Sequence, residues 1–195
     1  MVSGRLQRAI SEIDAANASD PTRIADAGED RPAALVYGER MSAVLKRLCP
    51  DAGELLCLAA RAQHIQRWTI PRQDYRMDRA GYLQWRNHLK QRHAKLAGAI
   101  MARCGYGDVE IARVQSLLRK ENLKRDAEAQ AIEDVACIVF LEFYSDDFAA
   151  KHDEEKVIGI LRKTWAKMSG SGRDHALALP LSPRVHRLIG AALAA

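Results

Sequence analysis

The chain has 195 residues, 48% of them hydrophobic and 28% charged, with a formal net charge of +5. That profile fits one globular domain with a sizeable core. No stretch approaches the roughly 18 consecutive apolar residues that a membrane-spanning helix needs, so a helical membrane protein is excluded.

The N-terminal stretch carries Arg5 and Arg8 without the apolar segment of an export signal. Cys49, Cys57, Cys104 and Cys137 are scattered among apolar neighbours and form no CxxC pair. They read as buried thiols rather than disulfides or a zinc knuckle, and the expected location is the cytoplasm.

Helical periodicity recurs along the chain and no period-two strand stands out. A first helix is expected from about Gly4 to Ala18, followed by a loop from Asp20-Pro21 to Pro32. A second helix covers Ala34 to Leu48 and stops at Pro50. Asp51 is the expected cap of a third, from Ala52 to Trp68, ended by Pro71. Asp78 is the expected N-cap of a long fourth helix ending near Cys104 and Gly105. A fifth runs from Gly107-Asp108 to about Glu121. Asp126 caps a sixth reaching about Phe148, and Asp153 opens a seventh ending near Met168. Ser169 to Arg173 reads as a loop, and a short last helix follows Pro183.

The run from Val135 to Leu141 is apolar on every face of the sixth helix, which suits an element buried at the centre of a fold. The expected fold class is therefore all-α: a single-domain, irregular helical bundle of about eight helices around a buried central helix, 127–148. Residues 1–33 form an N-terminal helix and loop, and 34–195 the main helical domain of one folding unit.

Ionisable residues interrupt the apolar stripes at three places. His64 continues the inward spacing of Leu56 and Ala60, His93 that of Leu89, Leu96 and Ile100, and Asp134 lies in line with Cys137, Ile138 and Leu141. A charge on a buried face is costly unless it is paired or binds a metal. His64, His93 and Asp134, with Glu133 beside them, make a ligand field of imidazole and carboxylate suited to a divalent metal. The other reading is a set of hydrogen-bonded core residues.

The span from Arg61 to Arg103 holds ten Lys or Arg residues (Arg61, Arg67, Arg72, Arg76, Arg79, Arg86, Lys90, Arg92, Lys95 and Arg103) against two acids, Asp74 and Asp78. A field of that sign attracts phosphates, on a small molecule or on nucleic acid.

Two resemblances bear on these residues. Ala62 to Arg72 with Gly81 to Arg86, His93-Ala94, Glu133 to Glu142 and Lys163 to Ser169 resemble an uncharacterised bacterial and fungal family, a domain of unknown function. That likeness runs from about Ala34 to the C-terminus and implies no reaction.

The order of elements is also distantly similar to the HD superfamily of helical metal-dependent phosphohydrolases. The likeness rests on Leu58 to Ile65, His93 to Ala99, Gly105-Tyr106 with Val114, and Ile132 to Val135. It implies an HD-like helical fold and a metal-dependent site. Gln63 and His64 stand where that family has metal-binding His and Asp, Tyr37 to Arg40 occupies the region of its earlier His, and Asp134 alone matches its counterpart by type.

Three functions follow as expectations. In the first, a divalent metal on His64, His93 and Asp134 activates water in a phosphohydrolase, or the site simply binds a phosphate-containing small molecule. Glu133 and Asp134 are then the catalytic carboxylates. Arg67, Arg72, Arg79, Arg86, Lys163 and Lys167 hold phosphate oxygens, and Tyr82 and Trp85, with Tyr75, stack on the ligand. In the second, the basic span joined by Lys120, Lys124, Arg125, Lys163 and Lys167 binds single-stranded RNA or DNA. In the third, the protein is a non-catalytic helical interaction scaffold.

Overall fold

The structure is a computed structural model that describes residues 3–123 and 125–194. Its helices are α1 (Gly4–Ala18), α2 (Ala33–Leu48), α3 (Glu54–Arg61), α4 (Arg79–Arg103) and α5 (Asp108–Arg119). They continue as α6 (Ala127–Phe143), α7 (Ser145–Lys151), α8 (Glu154–Lys167), α9 (Gly170–Leu177) and α10 (Pro183–Leu193). The expected all-α bundle is the fold. No helix among the described residues is long and apolar enough to cross a membrane.

Most helix starts obey local chemistry. The side chains of Asp78, Asp126, Asp153 and Ser182 each accept a backbone N–H from the first turn of α4, α6, α8 and α10. α3 differs: it starts later than expected, with Gly53 rather than Asp51 at its N-cap.

α6 is the centre. Ile132, Val135, Ile138 and Val139 are fully buried, and the helix packs against α2, α3, α5, α7, α8 and α9. It is shorter than the expected 127–148, because the chain breaks at Tyr144 and restarts as α7. α1 joins the same core through Leu6, Ala9 and Ile13. The Arg61 guanidinium, nearly buried, clamps it further by donating to both carboxylate oxygens of Asp14 at 2.6 Å.

Two expected loops are ordered elements. Between Asp20 and Pro32 the chain forms an antiparallel hairpin, β1 (Arg23–Asp26) and β2 (Glu29–Pro32), turning at Ala27-Gly28. Both turn residues have positive φ, 51° and 85°, the two-residue geometry that matches strand twist. The hairpin escapes pattern reading because polar contacts hold it. Arg31 and Arg40 both donate to Asp26, and Arg31 also pairs with Glu39. The second is Ser169–Arg173, where Ser169 caps α9 by accepting from the Gly172 N–H at 3.0 Å.

The segment between α3 and α4 positions the site. α3 ends at Arg61 rather than near Trp68, and the next residues turn tightly. Gln66 has a φ of +49°, and its N–H donates to the buried Asn17 side chain of α1 at 3.0 Å. Short 3-10 turns follow at Arg67–Thr69 and Arg72–Asp74. They lie against the start of α4, where a Cβ on Gly81 would stand 2.1 Å from the Arg76 carbonyl oxygen, so only glycine fits.

Candidate functional site

A narrow cleft, open to solvent at its mouth, lies between the turn after α3, the middle of α4 and the end of α5. Gln63, His64 and Arg67 line it from the turn, Arg86, Leu89, Lys90 and His93 from α4, and Leu118 and Lys120 from the end of α5. Arg86, Leu89, Lys90 and His93 are spaced by three and four, so a single face of α4 supplies them.

Three cations of this cleft differ from most others in the chain, although Arg92, half-buried on α4 outside the lining, is also without a partner. Arg5, Arg31, Arg40, Arg61, Arg103, Arg113 and Arg187 all meet carboxylates. Among the described residues, the side chains of Arg67, Arg86 and Lys90 form no ion pair and no hydrogen bond with protein. All three are only partly exposed. Arg67 is held by packing, its guanidinium carbon 4.8 Å from the centroid of the Trp85 ring. Burial lowers the Arg67 and Lys90 pKa values; the neighbouring Arg86 lowers both further, and Lys120 adds to the effect on Lys90.

The two histidines are neutral. His64 stacks on the partly buried Tyr37 ring, centroids 4.0 Å apart and planes within 14°, and its ring centre is 5.9 Å from that of His93. Burial drives His64 well below the usual imidazole range, assisted by Arg67, His93 and Arg86. Burial pushes His93 down to about 3, with Arg67 and Arg86 acting in the same direction.

Lys120 closes the cleft from an uncommon backbone. It ends α5 with a φ of +58°, a conformation that helix ends usually give to glycine. Its ammonium meets the Glu133 carboxylate of α6, and both side chains are more than nine-tenths buried. Burial alone would raise the Glu133 pKa. The Lys120 charge and hydrogen bond, with Lys167 and Arg86, outweigh it and lower the value.

Asp134 is elsewhere. Its carboxylate accepts from the Ser169 N–H at 2.8 Å, from the Ser169 hydroxyl at 2.5 Å and from the Gln130 amide at 3.0 Å. It thus fastens the start of α9 to α6 and lines a second, shallow hollow with Leu48, Cys49 and Ser171. The structure therefore brings His64 and His93 together and does not bring Asp134 to them. Among the described residues, no three His, Cys, Asp or Glu side chains are grouped to hold a metal ion. All four cysteines are free thiols.

The remaining expected residues divide in the same way. Arg67 and Arg86 line the cleft. Arg72 instead braces its own loop, donating to the backbone oxygens of Tyr75 at 3.1 Å and Asp78 at 3.2 Å. Arg79 is exposed at the start of α4, and Lys163 and Lys167 are exposed on α8. Trp85 is buried and donates its indole N–H to the Ile70 carbonyl at 2.9 Å, whereas Tyr82 beside it is exposed. The Tyr75 hydroxyl meets His88. Lys124 lies outside the described residues.

The residues missed in sequence are Gln63 and Lys90 as cleft residues, and Lys120 as the partner of Glu133. Lys90 carried a readable signal, since it falls on the α4 face between Arg86 and His93. Lys120 carried none, because its place depends on the left-handed turn after α5.

These features define the class: an all-α protein with a partly buried basic cleft between α4, α5 and the turn after α3. The chain belongs to the family described as a domain of unknown function (DUF4202), whose model matches residues 7–189. The match therefore includes α1, beyond the expected start near Ala34. No curated protein and no solved structure matches the chain, so the likeness to the HD superfamily gains no support from either.

Proposed function

We propose that the protein binds a small phosphate-containing molecule in the cleft lined by Arg67, Arg86 and Lys90. The observation that carries this reading is the absence, among the described residues, of any carboxylate partner for these three half-buried cations. Like charges gathered in a low-dielectric recess repel one another, and an anion among them relieves that cost. Guanidinium groups supply forked donors for phosphate oxygens, and the lysine a point charge.

The distribution of charge favours a small ligand over an extended nucleic acid. Several of the ten cations of the 61–103 span are used internally. Arg61 binds Asp14, Arg72 its own loop, Arg76 Asp78, and Arg103 Glu12. Among the described residues of that span, Arg67, Arg86 and Lys90 at the cleft, and Arg92 outside its lining, stay partly buried without a partner.

The cleft also holds neutral groups beside its cations. His64 and His93 line it as imidazoles that burial keeps from protonating, so they offer hydrogen-bonding nitrogens, while Glu133 lies behind the lining against Lys120. Metal-assisted hydrolysis with Asp134 as a ligand requires Asp134 to leave Ser169 and Gln130, so the binding reading stands without it.

Calorimetric titration of the full chain with inorganic phosphate and pyrophosphate tests the proposal. One saturable site, weakened by added salt, is expected. Heats indistinguishable from dilution with both anions at low ionic strength would refute it.

A further inference from the structure

The cationic residues account for one half of a ligand. The other half is suggested by two polar atoms on the same lining that have no hydrogen-bond partner, Nε2 of His93 and Oε1 of Gln63. Both residues are more than nine-tenths buried, at 4% and 6% exposure. Buried polar atoms in folded proteins are nearly always paired, so an orphaned one in a cleft points to a missing partner.

The tautomer of His93 decides what that partner must be. The Gln63 backbone carbonyl favours a proton on the ring nitrogen that faces it. We assign that proton to Nδ1 because Nε2 has no partner, and in that tautomer the neutral ring presents a lone pair at Nε2. The amide oxygen of Gln63 is likewise an acceptor. The cleft thus lacks a donor beside cations that lack an anion.

The missing donor is a neutral one. An ammonium group would have to enter among Arg67, Arg86 and Lys90, where three unpaired like charges oppose it. A hydroxyl meets no such barrier. Because the orphaned acceptors and the cations share one narrow lining, the hydroxyl and the phosphate are placed on one short carbon skeleton that enters from the mouth.

We infer that the cleft takes a phosphomonoester of a small polyol or sugar, its phosphate against Arg67, Arg86 and Lys90 and a hydroxyl donating to Nε2 of His93. This rests on the phosphate reading above and adds the chemical class of the ligand. It also assigns a specificity role to His93: an alkyl phosphate would leave Nε2 buried and unsatisfied, and sites built around a hydrogen bond discriminate strongly against analogues that lack it.

The test compares three probes with the full chain by calorimetry: inorganic phosphate, n-propyl phosphate and glycerol 3-phosphate. The two esters share a three-carbon skeleton and differ only in hydroxyl groups. Glycerol 3-phosphate is expected to bind about tenfold more tightly than propyl phosphate, equivalent to about 1.4 kcal/mol. In His93→Phe the ratio between the esters should collapse to near one, and in His93→Gln, which keeps an acceptor, part of it should survive.

Equal affinity of the two esters for the wild-type chain overturns the hydroxyl assignment and leaves phosphate binding intact. A ratio that persists in folded His93→Phe overturns the role of His93. No binding of any of the three probes overturns both readings. The wild-type comparison stands on its own if either variant fails to fold.

Discussion

The rings of His64 and His93 lie with centroids 5.9 Å apart and planes tilted by 49°, and both are held neutral by burial and by Arg67 and Arg86. This pairing has a consequence for stability. Each imidazole has a lower pKa in the folded chain than the ordinary 6.5, so the unfolded chain takes up the proton first as the pH falls. The stability these groups allow is fully present above pH 6.5 and is lost as the pH drops towards the folded value, about 3 for His93. At about 1.4 kcal/mol per pH unit, His93 alone costs about 3 kcal/mol between pH 6.5 and 4. Denaturant unfolding at pH 7, 5.5 and 4 measures the loss, and His93→Gln should flatten the profile. A wild-type profile flat between pH 7 and 5 would contradict the neutral pair.

Lys120 and Glu133 form the one buried ion pair at the cleft, and their fates are linked. Glu133→Ala would leave Lys120 as a fourth cation without a partner, costing about 3 kcal/mol of stability. The same change should strengthen phosphate binding, because a competing carboxylate is removed. Unfolding curves and a phosphate titration of the variant read both effects. Weaker binding in a folded Glu133→Ala would count against Glu133 as an internal counter-ion.

Asp134 is expected to act on stability alone. Removing its carboxylate in Asp134→Ala leaves the Ser169 N–H and hydroxyl without their acceptor, at a cost of about 2 to 4 kcal/mol, while phosphate affinity should stay within about twofold. Gly172→Ala attacks the same junction from the other side, since the new Cβ would stand 2.6 Å from the Asp134 carboxyl carbon. A loss of about 1 to 3 kcal/mol is expected from that overlap. A selective loss of ligand binding in stably folded Asp134→Ala would return this residue to the site.

The N-terminal helix should prove integral to the fold. Asp14→Ala removes the two short hydrogen bonds of the nearly buried Arg61 guanidinium, leaving it only Ser42 at 3.4 Å and Glu39 at 3.8 Å, and a loss of about 1 to 3 kcal/mol is expected in chemical denaturation. A change below about 0.5 kcal/mol would mean that α1 is only loosely attached.

Much of this architecture was legible in sequence where the governing chemistry is local. Asp78, Asp126 and Asp153 announce their helices because a cap acts within one turn, and Val135 to Leu141 announces a buried helix because no face of it is polar. His93 was readable as inward-facing for the same reason; His64 was read on a helix that in fact ends at Arg61, and it reaches His93 from the turn that follows. Asp134 also interrupts an apolar stripe, that of α6, yet the residue it serves, Ser169, is 35 positions away and lies in a run that reads as a loop. The hairpin at Arg23–Pro32 was hidden because cross-strand and helix contacts between charged side chains hold it rather than alternating apolar residues. The turn that brings Gln63, His64 and Arg67 together depends on Asn17, a contact between distant parts of the chain.

The central claim, that the anion site is the cleft and not the wider basic surface, is tested most directly by comparing two arginines on α4. Arg86 lines the cleft without a partner, and Arg79 is exposed two turns earlier on the same helix. Both changes remove one positive charge. Phosphate affinity measured by calorimetry should fall at least tenfold in Arg86→Ala and less than twofold in Arg79→Ala, with stability within about 0.5 kcal/mol of wild type for both. Equal, small losses from the two substitutions would contradict it.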